Sequence, residues 1–177
     1  MKKSKSKPVK EKSTALVGVV MGSDSDLGVM QAAADMLKKF GIAYKMTVAS
    51  AHRSPQRAAR FASSARKKGM QVIIAGAGHA AHLAGAMAAH TTLPIIGVPI
   101  DSSCLQGLDA LLSTVQMPPG IPVATVSIGK SGAQNAAILA AQIIALADPV
   151  IEARLQAHKK EMAVQVGRKA RKVENQP

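Results

Sequence analysis

The sequence predicts an α/β fold built on one doubly wound sheet of five parallel strands. Three observations carry it. Short apolar runs of strand length alternate with segments whose apolar residues recur at helical spacing. Each helical segment lies between two strand segments, as a parallel crossover requires. The chain has 177 residues, 47% of them apolar, which suits one domain with a core of its own.

Leu16–Met21 is an apolar run closed by Gly22, suited to a strand buried on both faces. From Asp26 to Phe40, apolar residues at 29, 30, 33, 36 and 37 mark a helix that Gly41 ends. Ala43–Ala49 reads as the second strand. Ser54–Lys68 reads as the second helix, with Pro55 in its first turn and Gly69 after it. Val72–Ala75 is the third strand, followed by a Gly/Ala-rich loop and a helix near Ala80–His90. Ile95–Val98 is the fourth strand, bounded by Pro94 and Pro99. A short helix is expected over Leu105–Leu112 and a fifth strand over Pro122–Ile128. Ala133–Ala147 is so apolar that burial on most sides is expected. Pro149 opens a last, charged helix. In domain terms, 1–14 reads as a basic, disordered tail, 15–150 as the domain, and 151–177 as a charged C-terminal helix and tail.

Composition excludes several classes. No apolar run approaches the roughly 20 residues that span a bilayer, so no membrane partner is expected. The Lys-rich start is not followed by the apolar stretch of a secretory signal. Cys104 is the single cysteine and has no internal partner, which fits a cytoplasmic setting. The net charge of +13 is uneven: residues 1–12 carry six Lys and one Glu, and 151–177 carry seven basic and three acidic residues. Such runs read as solvated ends, with nonspecific attraction to nucleic acid or anionic membrane as the weaker alternative. With Phe40, Tyr44 and Phe61 as the whole aromatic set, stacking platforms for nucleic acid or a flavin are absent, and nucleic acid is not an expected partner.

Ligands in such sheets bind beyond the carboxyl ends of the strands, so the strand-end loops should hold the chemistry. Gly22-Ser23-Asp24-Ser25-Asp26 leads into a helix N-terminus, whose free N–H groups favour an anion such as a phosphate monoester. Ser23 and Ser25 add hydroxyls. Asp26 would repel phosphate and is read as a helix cap or a holder of sugar hydroxyls; plain capping by Ser25 or Asp26 is the alternative for the whole loop. Ser50-Ala51-His52-Arg53-Ser54-Pro55 sets a proton carrier beside a permanent cation; a solvated Arg53 and a capping His52 are the alternative. Gly76-Ala77-Gly78-His79-Ala80-Ala81-His82 offers little bulk, letting a ligand approach backbone. His82 is either a second ligand group or a first-turn residue. The fourth loop is Pro99-Ile100-Asp101-Ser102-Ser103. His90 is read as a helix C-terminal cap and His158 as a surface residue.

Other motifs fail. Gly76-x-Gly78-x-x-Ala81 resembles a dinucleotide fingerprint, but it sits on the third strand rather than the first. Gly129-Lys130-Ser131 lacks the first glycine of a P-loop, since position 124 is Ala. One Cys and scattered His lack zinc-ligand spacing.

Taken together, Met21–Asp26, Ser50–Pro55, Ala75–Gly78 and Ala80–Leu83 resemble the N5-carboxyaminoimidazole ribonucleotide mutases. So do Gly97-Val98-Pro99, Val115–Val123, Ile128-Gly129-Lys130 and Asn135-Ala136-Ala137. The resemblance covers about residues 15–150, in order. It implies a three-layer α/β/α, flavodoxin-like fold, a homo-octamer, no metal and no organic cofactor. It implies transfer of a carboxylate from the exocyclic N5 of a small ribonucleotide to C4 of its imidazole, in purine biosynthesis. His52 becomes the acid/base, with His82 beside the migrating CO2. Ser23, Ser25, Asp26, Ser50 and Arg53 become phosphate and ribose contacts, and Gly76, Ala77, Gly78, Ala80 and Leu83 enclose the imidazole. A sister class carboxylates aminoimidazole ribonucleotide directly with CO2; Arg53 and Ala80-Ala81-His82-Leu83 favour the mutase class over it. A non-catalytic nucleotide-binding module is the third reading. His79 and Ala84 depart from the family pattern, which has Gly and Pro there; His79 is given no catalytic role.

Overall fold

The computed structural model describes residues 15–176, so the expected N-terminal tail over 1–14 lies outside them. The elements are β1 (Val17–Met21), α1 (Leu27–Lys39), β2 (Tyr44–Val48), α2 (Pro55–Ala65), β3 (Val72–Gly78) and α3 (Leu83–Ala88). They continue as β4 (Ile95–Ile100), α4 (Leu108–Val115), β5 (Ala124–Thr125), α5 (Gly129–Ala145) and α6 (Pro149–Glu174). All pairings are parallel, and the strand order is β2-β1-β3-β4-β5, the flavodoxin-like order.

Both faces of the sheet are covered, which is why the central strands read as unbroken apolar runs. Alternate residues feed two cores. Val17, Val19, Ile74, Ile96 and Val98 join the helices α1 and α5. Val20, Ile73, Ala75 and Ile95 join α2 and α3 on the other face. α6 docks on the end of α1: Arg154 donates to the Phe40 carbonyl at 2.6 Å, and Lys39 pairs with Glu161 at 2.8 Å. His158, expected on the surface, instead packs edge-on against Phe40, centroids 5.4 Å apart, with only 10% of its side chain exposed.

The sequence boundaries need five corrections. β3 runs on through Gly76, Ala77 and Gly78, because β4 pairs with each of them. β4 likewise passes through Pro99 to Ile100. Gly97 turns its carbonyl toward the β5 side, where Val126 donates to it at 3.1 Å. Pro99 faces that same side beyond the end of β5, so its missing N–H breaks no ladder bond. β5 keeps only two residues of the expected seven, Ala124 and Thr125, as a short edge strand. α4 starts at Leu108 rather than Leu105, because Gln106 and Gly107 adopt left-handed backbone, φ 51° and 85°. α5 starts four residues early and is buried along one stripe, Gly132, Ala133, Ala136, Ala137, Ala140, Ala141 and Ile144, not on most sides.

Candidate active site

β1, β2, β3 and β4 end at one edge of the sheet, and their loops surround a cavity of about 610 Å³. That is within the range of small-ligand sites. It lies over the β1–β3 switch point, where the chain first reverses direction across the sheet. A larger groove of about 860 Å³ lies at the opposite end, along Pro94, Ile95 and Pro122. Size does not decide between them. The carboxyl ends of the strands, the helix α1 N-terminus and the convergent histidines all belong to the smaller cavity.

The first loop supplies Gly22, Ser23, Ser25 and Asp26 to the cavity. The Ser23 N–H donates to Asp26 Oδ2 at 3.0 Å, so Asp26 does cap the turn entering α1. The exposed Asp24 Oδ1 accepts from Ser23 Oγ and from the Ser25 N–H, both at 3.1 Å. Asp24 thus occupies donors that an incoming anion would use, and being exposed it can release them at low cost. Asp26 is buried, with 6% exposure. Burial pushes its pKa above the ordinary 3.8, against the pull of the Ser23 and Gly22 N–H groups and of the nearby Arg53 cation.

A raised carboxyl pKa means that the folded state binds the proton more tightly than the unfolded chain. Protonated Asp26 therefore favours folding below the unfolded pKa, and that contribution is lost as pH rises through the folded value. At neutral pH, above the unfolded value, folding must either bury the charge or protonate the carboxyl, and both cost stability. Asp26→Asn keeps an acceptor for the Ser23 N–H and removes that cost. Its stability at pH 7 should equal or exceed wild type, with the difference shrinking as pH falls toward 4. A urea titration at the two pH values checks this; a variant much less stable at pH 7 would contradict it.

The second loop supplies Ser50, Ala51, His52 and Arg53. Ser50 and Ser54 shape it: Ser50 Oγ accepts from the Arg53 N–H at 3.1 Å, and Ser54 Oγ accepts from the Ser50 N–H at 2.9 Å. The Arg53 guanidinium has no hydrogen-bond or ion-pair partner among the described residues.

The third loop supplies Ala77, Gly78, His79, Ala80, His82 and Leu83. Gly76, expected with them, is buried inside β3, where its missing Cβ makes room for Met30. With Gly76 and Gly78 both in a strand, the dinucleotide fingerprint has no loop to form. His52 Nε2 and His82 Nδ1 lie 2.8 Å apart, the rings T-shaped with centroids 4.9 Å apart. One nitrogen must carry a proton for this bond, and either can. His82, left open in the sequence between ligand group and helical turn, lines the cavity and occupies the N-cap of α3.

Four cavity residues were given no site role in the sequence: Gly22, Ala51, His79 and Ser102. Ser102, from the loop after β4, lies over Gly78 and its hydroxyl is 3.0 Å from His79 Nδ1. His79 has φ +54°, a left-handed conformation that costs a non-glycine residue roughly 1–2 kcal/mol. A Gly in the related pattern at this position was the available signal. Ala84 differs in kind: it is the second residue of α3, in the first turn, where the backbone tolerates Pro as well as Ala. Among the described residues, no three His, Cys, Asp or Glu side chains gather as a metal site. Nor is any helix there long and apolar enough to cross a membrane.

A flavodoxin-like sheet whose switch point carries a helix N-terminus, a histidine pair and an Arg unpaired among the described residues has the layout of an α/β enzyme with a small-ligand site. The AIR carboxylase family model matches residues 16–165, and the chain belongs to that family. It is 54% identical over 159 residues to the N5-carboxyaminoimidazole ribonucleotide mutase of Pyrococcus horikoshii, covering 90% of this chain and 89% of that one. The Thermotoga maritima enzyme of the same name is 52% identical, covering 89% of this chain and 91% of that one. The crystal structure of Treponema denticola PurE superposes with a TM-score of 0.80 at 29% identity, covering 90% and 98%.

Proposed function

We propose that this chain is an N5-carboxyaminoimidazole ribonucleotide mutase, converting that ribonucleotide to 4-carboxy-5-aminoimidazole ribonucleotide in purine biosynthesis. The observation that carries the reading from family to chemistry is the His52–His82 bond in a cavity that also holds an uncommitted Arg53.

The reaction breaks the N5–carboxylate bond, releasing CO2 and leaving its electron pair on nitrogen, which takes a proton. C4 of the electron-rich imidazole then attacks CO2, a C–C bond forms, and the C4 proton leaves. One proton is given and one taken, so a single carrier returns to its starting state. An imidazole suits this, because it titrates near neutrality. His52 gives the proton to N5 and takes the one from C4, while His82 holds its partner nitrogen. Arg53, Ser23 and Ser25 hold phosphate, Asp26 ribose hydroxyls. Ala77, Gly78, Ala80 and Leu83 keep the walls close enough that CO2 is recaptured before it escapes. The reaction needs no metal or organic cofactor.

The test is conversion of the N5-carboxy compound without ATP or added metal. Comparable activity on aminoimidazole ribonucleotide with bicarbonate would favour direct carboxylation instead.

The same reading carries a cytoplasmic, octameric enzyme. Support for self-association comes from α4, whose Leu108, Leu112 and Val115 form an exposed apolar row continued by Leu105. Light scattering should find an assembly of about eight chains of 18.3 kDa; a stable, active monomer would contradict it.

A further inference from the structure

The loop from His79 to His82 leaves the sheet at the end of β3, so no strand ladder fixes it. It is pinned at two points instead. At its far end, the Ala81 N–H donates to Ser113 Oγ at 2.9 Å. At its near end, His79 Nδ1 meets Ser102 Oγ at 3.0 Å. Ser102 is itself anchored, since its N–H donates to the Ile100 carbonyl at the end of β4, at 3.0 Å. It fits there only because Gly78 has no Cβ, which would run into Ser102 Oγ. Three features thus converge on one contact: the bare Gly78, the anchored Ser102 and the left-handed backbone of His79. A non-glycine residue keeps such a conformation where its surroundings over-determine it, and functional sites are where that occurs. The His79 ring is exposed, so it fills no core. Three residues further on, the same loop presents His82 to His52.

We propose that His79 is a positioning residue: its bond to Ser102 clamps the His82 loop and so holds the His52–His82 pair in register. This rests on the assignment of proton transfer to that pair. The clamp acts on placement, not on the reacting atoms. Its loss therefore lowers turnover far less than loss of His52.

The test uses the full-length enzyme with four variants, His79→Gly, His79→Asn, Ser102→Ala and the His79→Gly/Ser102→Ala double. Each of His79→Gly and Ser102→Ala lowers kcat about three- to tenfold with little change in KM, and the double is no worse than either single. His79→Asn restores most of the activity, because Asn tolerates left-handed backbone and its amide can bond the Ser102 hydroxyl. His79→Gly does not lower Tm, since it removes backbone strain; a merely structural role would lower it. In the ligand-free enzyme, imidazole nitrogen NMR of wild type shows one settled tautomer each for His52 and His82, and His79→Gly shifts both toward averaged values. Wild-type kcat together with an unchanged imidazole spectrum in His79→Gly would overturn the clamp. So would additive losses in the double variant. His82→Asn tests the underlying reading separately: normal turnover there would remove the pair's proton role, while the imidazole spectrum would still report the clamp.

Discussion

His52→Asn is expected to lower kcat by about two to four orders of magnitude, the usual share of a positioned proton carrier, with KM close to wild type. His52 is exposed in the cavity, so little packing beyond its edge contact with His82 is lost with it. Asn approximates its size and keeps one hydrogen-bonding atom toward His82. What it cannot do is give and take a proton near neutrality. The carboxylate can still leave N5, but the nitrogen waits for a proton from water and C4 waits for a base. Ground-state contacts to phosphate and ribose stay in place, so binding should persist. Steady-state kinetics separate the two effects. Near-normal kcat would move the proton carrier to the third loop.

Arg53→Ala is expected to act on the other parameter. Among the described residues the guanidinium has no partner, and Arg53 lines the cavity near Asp26 at the start of α1. In the proposed role, its charge-assisted bonds to phosphate would be made equally in the ground and transition states. Removing them should raise KM by about ten- to a hundredfold, the equivalent of 1.5–3 kcal/mol, while kcat falls less. Asp26 should respond too, since it loses a cation that restrains its upward pKa shift. Dependence of KM on ionic strength should weaken in the variant. A variant that lost kcat and kept KM would show Arg53 acting on the chemistry rather than on binding.

The strands β1 and β2 and the helices α1 and α2 were legible because their apolar spacing and their glycine or proline punctuation agree. β3 was cut short because Gly76 and Gly78 look like loop residues; pairing with β4, and for Gly76 with β1 as well, keeps them extended, and pairing is not a local property. β5 was overestimated because Pro122–Ile128 has strand composition but no neighbour beyond two residues. At the site, the loops and most of their residues were visible, because residue type and position at a strand end suffice to suggest chemistry. The His52–His82 bond was not, since residues 30 apart meet only through the sheet order. The role of Ser102 was hidden for the same reason: it acts through Gly78 and His79 on a neighbouring strand.

The most direct measurement follows the carboxylate itself. The N5-carboxy substrate, labelled with carbon-13 in that group, is turned over in unlabelled bicarbonate without ATP, and the product is read by NMR. Transfer without escape of CO2 to solution predicts that most of the label appears in the C4 carboxylate, with little dilution from solution. A product whose C4 carboxylate carries the unlabelled carbon of bulk bicarbonate would contradict it.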